Sequence, residues 1–111
     1  MNDIQPIVSG ITNAAYTILE DKLHSVILYG SYARGDFDED SDVDLLILAD
    51  IDKEDCWRYR QSFTEIVDCL SLELDIVISL HVIDTETFER WNQVTPFYRN
   101  IQCEGVVICG R

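Results

Sequence analysis

Two aspartates one residue apart, Asp42 and Asp44, stand at the start of an apolar run, Val43 to Leu48. Unpaired carboxylates in such a run are costly unless a cation or hydrogen bonds compensate. Strand side chains alternate in direction, so these two project from one face with Cα atoms about 6.5 Å apart. Carboxylates placed this way suit a pair of divalent cations ~4 Å apart, and Mg²⁺ in particular prefers carboxylates plus substrate phosphates to an all-protein cage. A nucleoside triphosphate meets that requirement. Upstream, Gly30 closes a short apolar run where a turn opens, which aims backbone amides outward and lets a phosphate approach a residue without a Cβ. Ser31 adds a hydroxyl to this cradle. Downstream, Asp75 opens the run Leu-Asp-Ile-Val-Ile and is a candidate third carboxylate.

Each candidate has a plainer reading. Eight acids fall between Asp36 and Asp52 with no Lys or Arg among them, and Asp36, Asp38, Glu39, Asp40, Asp50 and Asp52 read as a solvated surface. Asp75 could instead cap a turn or pair with an arginine. Arg34 suits a phosphate contact and suits equally well an ion pair with the surrounding acids. Ser31 could be a helix N-cap, a role compatible with holding phosphate. His24 and His81 sit at strand edges with no Ser or Cys arranged as a nucleophile, which points to surface or packing roles. Trp57, Tyr59, Trp91, Phe97 and Tyr98 fall mostly at helical core spacings, and core is the expected place for all of them.

The elements that must position these residues follow from hydrophobic spacing. Ile4, Ile7, Val8, Ile11, Ala14, Ala15, Ile18 and Leu19 predict an amphipathic helix over about residues 3–22. Val26 to Tyr29 and Val43 to Leu48 predict two buried strands, with one helical turn at Ser31 to Arg34 and an exposed loop at 36–41 between them. For Gly30, ending the first strand, to lie beside Asp42, starting the second, those strands must be antiparallel. The stretch Lys53 to Ser71 predicts a helix and Leu74 to Leu80 a third strand, whose Asp75 joins the same end of the sheet if it runs parallel to the second. Asp84 or Thr85 could cap a helix to about Asn92, Pro96 could open another that ends by Gly105, and Val106 to Cys109 supplies an edge strand. The fold class is α/β, a small mixed sheet flanked by helices, with residues 1–111 as one domain.

Composition limits the function. The chain has 111 residues, 47% of them hydrophobic, which suffices for one core. Its net charge of −13 repels phosphate backbones and anionic lipid, so direct nucleic-acid or membrane binding is disfavoured. The longest apolar run is far short of the ~20 residues a membrane helix needs, and no export signal is evident, which places the protein in the cytoplasm. Cys56, Cys69, Cys103 and Cys109 lack metal-binding spacings and read as buried free thiols.

The pattern Gly30-Ser31, ten residues, then Asp42-x-Asp44, with Ala33-Arg34-Gly35 inside and Asp75 on a later strand, resembles the nucleotidyltransferase superfamily that includes DNA polymerase beta. Length and the ending Ile101-Gln102-Cys103-Glu104-Gly105-Val106 resemble the minimal nucleotidyltransferase (MNT) antitoxins encoded beside HEPN-domain toxins. The resemblance implies the nucleotidyltransferase fold and transfer of AMP from ATP to a tyrosine of a HEPN toxin, which neutralises it within a hetero-oligomer. It also implies two Mg²⁺ ions: Asp42 and Asp44 bind the metals, Asp75 binds one and receives the hydroxyl proton, and Gly30 and Ser31 hold the triphosphate. Occlusion of the toxin without catalysis is the competing expectation, followed by nucleotidyl transfer to another acceptor.

Overall fold

A computed structural model describes residues 4–38, 40–92 and 94–110. The expected start of the first helix at residue 3, and Glu39 in the acidic loop, lie outside the described residues. Helix α1 (Gln5–Leu19) leads through a 3-10 turn into β1 (Leu23–Tyr29), followed by the four-residue α2 (Ser31–Arg34) and β2 (Val43–Ala49). Helices α3 (Cys56–Ser62) and α4 (Thr64–Leu74) cross to β3 (Ile78–Asp84), and α5 (Thr85–Trp91), α6 (Pro96–Glu104) and β4 (Val106–Gly110) complete the order.

The four strands form one mixed sheet in the order β3-β2-β1-β4. β1 is antiparallel to both β2 and β4, and β3 is parallel to β2. A parallel neighbour needs a crossover of a dozen residues or more, and α3 and α4 provide it. Alternation along the strands divides the apolar residues between two faces. Val43, Leu45, Ile47 and Ala49 join Ile7, Ile11, Ala15 and Leu19 of α1 and Phe63 and Val67 of the crossover in the larger core. Leu46 and Leu48 turn the other way, against Ile27, Phe88 of α5 and Ile101 of α6, in a smaller one.

Three expectations need correction. The helix expected over Lys53 to Ser71 is interrupted at Phe63, which is fully buried at the junction of α3 and α4. Its second half runs on to Leu74, so the third strand starts at Ile78 and not Leu74. Asp75 therefore sits off the sheet, as the α4 C-cap in a left-handed conformation (φ 51°), with Ile76 N–H bonded back to the Ser71 carbonyl at 3.2 Å. The Ile76-Val77-Ile78 run is β-branched enough to pass for strand interior. Its first residues serve as the link from helix to sheet. Lastly, Trp57, Trp91 and Phe97 are exposed by 64%, 43% and 44%, and Cys69 and Cys103 are exposed free thiols, so none of these five belongs to the core.

Among the described residues of the loop after α2, Phe37 and Ser41 are half-buried and the others exposed, and the Phe37 ring stacks on Tyr32 at 4.4 Å. Asp38 shapes this loop, its carboxylate accepting from the Asp40 N–H at 2.9 Å. Asp38 is exposed, as expected of the outer acids, and shapes the turn as well. Asp84 is also structural: it caps α5, accepting from the Thr87 N–H and hydroxyl at 2.9 Å each.

Candidate active site

β1 ends at Tyr29, and Gly30 turns the chain with φ +76°, a left-handed conformation that a side chain strains. A Cβ at Gly30 would also collide with the Asp44 carboxylate. Glycine is required here on both counts, and the carboxylate that meets the anion-cradle residue is Asp44, the second of the pair, where the spacing predicted Asp42. Gly30 is the N-cap residue of α2, its carbonyl accepting from Ala33 and Arg34 N–H at 3.1 Å each. Ser31 is therefore the first helical residue and not the cap. The first amides of a helix lack intrahelical partners, which leaves those of Ser31 and Tyr32 at the mouth of this turn.

The antiparallel register sets Tyr29 opposite Asp44, and the parallel register sets Ser79 on the other side of Asp44. Tyr29, Asp44 and Ser79 thus form one row across the sheet, on the face of the smaller core. One row further in are Ile27, Leu46 and His81. Phe97 of α6 spans these rows, its ring 5.8 Å from both Tyr29 and His81. Between this ring and α2 lies a cavity of about 320 Å³ lined by Gly30, Ser31, Arg34, Asp44, Tyr29 and Phe97 among others.

Burial raises the Asp44 carboxyl above its ordinary value; the neighbouring Asp42 charge raises it further, while His81 and Arg34 oppose the shift. A carboxylate penalised by both desolvation and a like charge is one that a cation would relieve. Burial and the Asp44 charge push the Tyr29 phenol up to about 12, so it stays a neutral hydroxyl beside the anion site. Arg34 reaches across the cavity mouth, bonding Asp36 at 3.2 Å and Glu104 of α6 at 3.3 Å. Both readings of Arg34 have geometric support, since it is ion-paired and also lines the cavity.

Asp42 precedes β2 and is exposed. It lines a different cavity, on the β3 side, so the aspartate pair marks the seam between two openings. Asp75 is not brought to this row: it is exposed at the end of α4, three residues before β3. Among the described residues no three His, Cys, Asp or Glu side chains gather closely enough to hold a metal ion. What the donor set fits is a hard divalent cation held by two carboxylates, with phosphate and water completing its shell.

Sequence reasoning missed Tyr29, His81 and Phe97 as neighbours of Asp44. Strand alternation could have placed Tyr29, two residues past Ile27 on the same face. Phe97 carried no such signal, because only the path of α6 over the sheet brings it there.

An antiparallel β1–β2 pair with glycine at the exit of one strand and paired aspartates at the start of the other, plus a parallel third strand, defines a nucleotidyltransferase. The chain belongs to the nucleotidyltransferase domain family, which matches residues 16–107. It is similar to two proteins of Methanocaldococcus jannaschii. One, "Putative protein adenylyltransferase MJ0141", is 52% identical over 63 residues, 57% of this chain and 62% of that protein. The match thus spans under two thirds of that relative's length. The other, "Putative protein adenylyltransferase MJ0604", is 33% identical over 107 residues, covering 91% of this chain and 93% of that protein. Among solved structures, one described as a toxin-antitoxin with AMP-PNP shares the fold, with TM-score 0.57 and 20% identity over 94% of this chain and 73% of that one. No helix among the described residues is long and apolar enough to cross a membrane.

Proposed function

We propose that this chain is a protein adenylyltransferase that moves AMP from ATP to a tyrosine hydroxyl of a HEPN-type toxin and so acts as its antitoxin. The observation that carries the reading is the contact of the Asp44 carboxylate with Gly30, which joins a candidate cation ligand to a candidate phosphate cradle. The names of the two archaeal relatives support adenylyl transfer to protein. The toxin as partner rests on the family resemblance, alongside the likeness in fold to the toxin-antitoxin structure.

In this reading the turn at Gly30 and Ser31 holds the β- and γ-phosphates, with Tyr29 offering a neutral hydroxyl next to them. Asp42 and Asp44 would hold Mg²⁺. Bound there, the metal would neutralise charge on the triphosphate and favour ionisation of an acceptor hydroxyl whose ordinary pKa is about 10. The tyrosine oxygen bonds to the α-phosphorus as the bond from that phosphorus to the bridging oxygen breaks, and pyrophosphate leaves. Asp75 caps α4 off the sheet and is not assigned the phenol proton. We give that role to the exposed Asp42 carboxylate, from which water carries the proton away.

The toxin incubated with this protein, ATP and Mg²⁺ should gain mass in whole AMP units, and Asp42→Asn or Asp44→Asn should stop the gain while the complex still forms. The position of Asp75 favours one second reading, occlusion without catalysis. Occlusion stands if the double Asp variant still silences the toxin in cells at unchanged expression and the wild type forms no adduct.

A further inference from the structure

In-line displacement requires the attacking and leaving oxygens on opposite sides of the α-phosphorus. The leaving pyrophosphate belongs to Gly30 and Ser31, at the end of β1. In the sheet order β3-β2-β1, Asp44 on β2 and Asp42 just before it separate that turn from β3. The acceptor must therefore arrive from the β3 side. There the structure has a second cavity, about 550 Å³, lined by Asp42, Trp57, Arg60, Val77, Ser79 and His81 among others. Its outer wall is α3, held against the sheet edge by Arg60 Nε, which donates to the Leu80 carbonyl at 2.7 Å. Its apolar surface is open: Trp57 is 64% and Val77 60% exposed. β3 is an edge strand, the kind of element along which an extended chain can lie.

We propose that this groove between α3 and β3 is the acceptor-docking site, and that it takes an extended, basic polypeptide segment carrying the target tyrosine. The inference rests on the adenylyltransferase reading. Three features select the occupant. The groove runs into Asp42, so a side chain seated in it ends at the reacting centre. Exposed tryptophan beside valine suits an aromatic residue and its apolar neighbours. A net charge of −13 favours Lys and Arg in the flanking positions. A nucleic-acid acceptor would meet that same charge as repulsion. Trp57 is thus the docking residue, with Val77 beside it; neither belongs to the cation or phosphate machinery.

The test uses isotope-labelled whole protein with Mg²⁺ and an ATP analogue not cleavable between the α- and β-phosphates, titrated with a lysine-flanked peptide bearing a single tyrosine. The analogue should shift the Gly30 and Ser31 amide signals. The peptide should then shift the Trp57 indole N–H and the amides of residues 77–82. Trp57→Ala should weaken peptide binding by about 10-fold or more while leaving the analogue's affinity unchanged, and Val77→Lys, at an exposed position, should leave the fold intact and also weaken the peptide. Analogue binding without peptide shifts in the groove, or unchanged peptide affinity in both variants, overturns the docking site and leaves the adenylyltransferase reading standing. Failure of the analogue to bind overturns both.

Discussion

The two faces of this sheet are built from the same strands and do opposite work. On the α1 and α4 face, Val43, Leu45, Ile47 and Ala49 of β2 are all fully buried under two long helices. On the α5 and α6 face, Leu46 and Leu48 are covered by Phe88 and Ile101, but one step earlier the cover stops and Asp44 occupies the row. A full face supplies stability, and the uncovered end of the other can keep a carboxylate that costs stability because the first face can bear it. Substitutions should therefore separate cleanly by face.

The largest stability effect is expected on the full face. Leu45→Ala removes a fully buried side chain and should cost about 3 kcal/mol in urea denaturation, with transfer per folded molecule unchanged. Loss of transfer in proportion beyond loss of folded protein would show that the faces are coupled. Next comes Gly30→Ala. Left-handed backbone costs a side-chain-bearing residue about 1–2 kcal/mol. The new Cβ must also displace Asp44. Nucleotide affinity measured by calorimetry should fall at least ~10-fold, more than stability does.

Asp44→Asn should act in the opposite direction on stability. With its pKa raised in the fold, Asp44 binds its proton more tightly folded than unfolded. The metal-free protein therefore loses stability as pH rises from the unfolded value of 3.8 through the raised folded one. Above the raised value that loss is complete, and the asparagine variant, which has no such charge, should there melt about 2–4 °C higher. A lower melting temperature would make Asp44 a structural hydrogen-bonding residue. The smallest effect is expected for Arg34→Ala, whose two partners at 3.2 and 3.3 Å are exposed, so the melting temperature should not shift measurably. Any larger effect of Arg34→Ala on nucleotide affinity than on stability assigns the guanidinium to phosphate.

The faces also differ in how far they could be read from the sequence. The turn at Gly30 and the antiparallel β1–β2 pair were legible because strand alternation and a turn are local, though Asp44 and not Asp42 meets the glycine. The full face was legible from the spacing of Ile7, Ile11, Ala15 and Leu19 on α1. The uncovered end was not. A four-residue error in the start of β3 put Asp75 on the sheet, since Leu74 to Leu80 is apolar enough for either helix end or strand. Phe97 was assigned to the core by its helical spacing, because nothing local shows that α6 passes over Asp44 and leaves that ring at a cavity edge. Trp57 misled in the same way: on the short α3 it faces the groove beside β3.

The central claim is that Asp42, Asp44 and Gly30 form one cation-linked nucleotide site, and calorimetric titration of ATP tests it most directly. The wild type should bind ATP with Mg²⁺ and lose that binding in EDTA, and the Asp42→Asn, Asp44→Asn double variant should bind in neither while remaining folded. Equal affinity with and without the cation, or undiminished Mg²⁺-dependent affinity in the double variant, would contradict it.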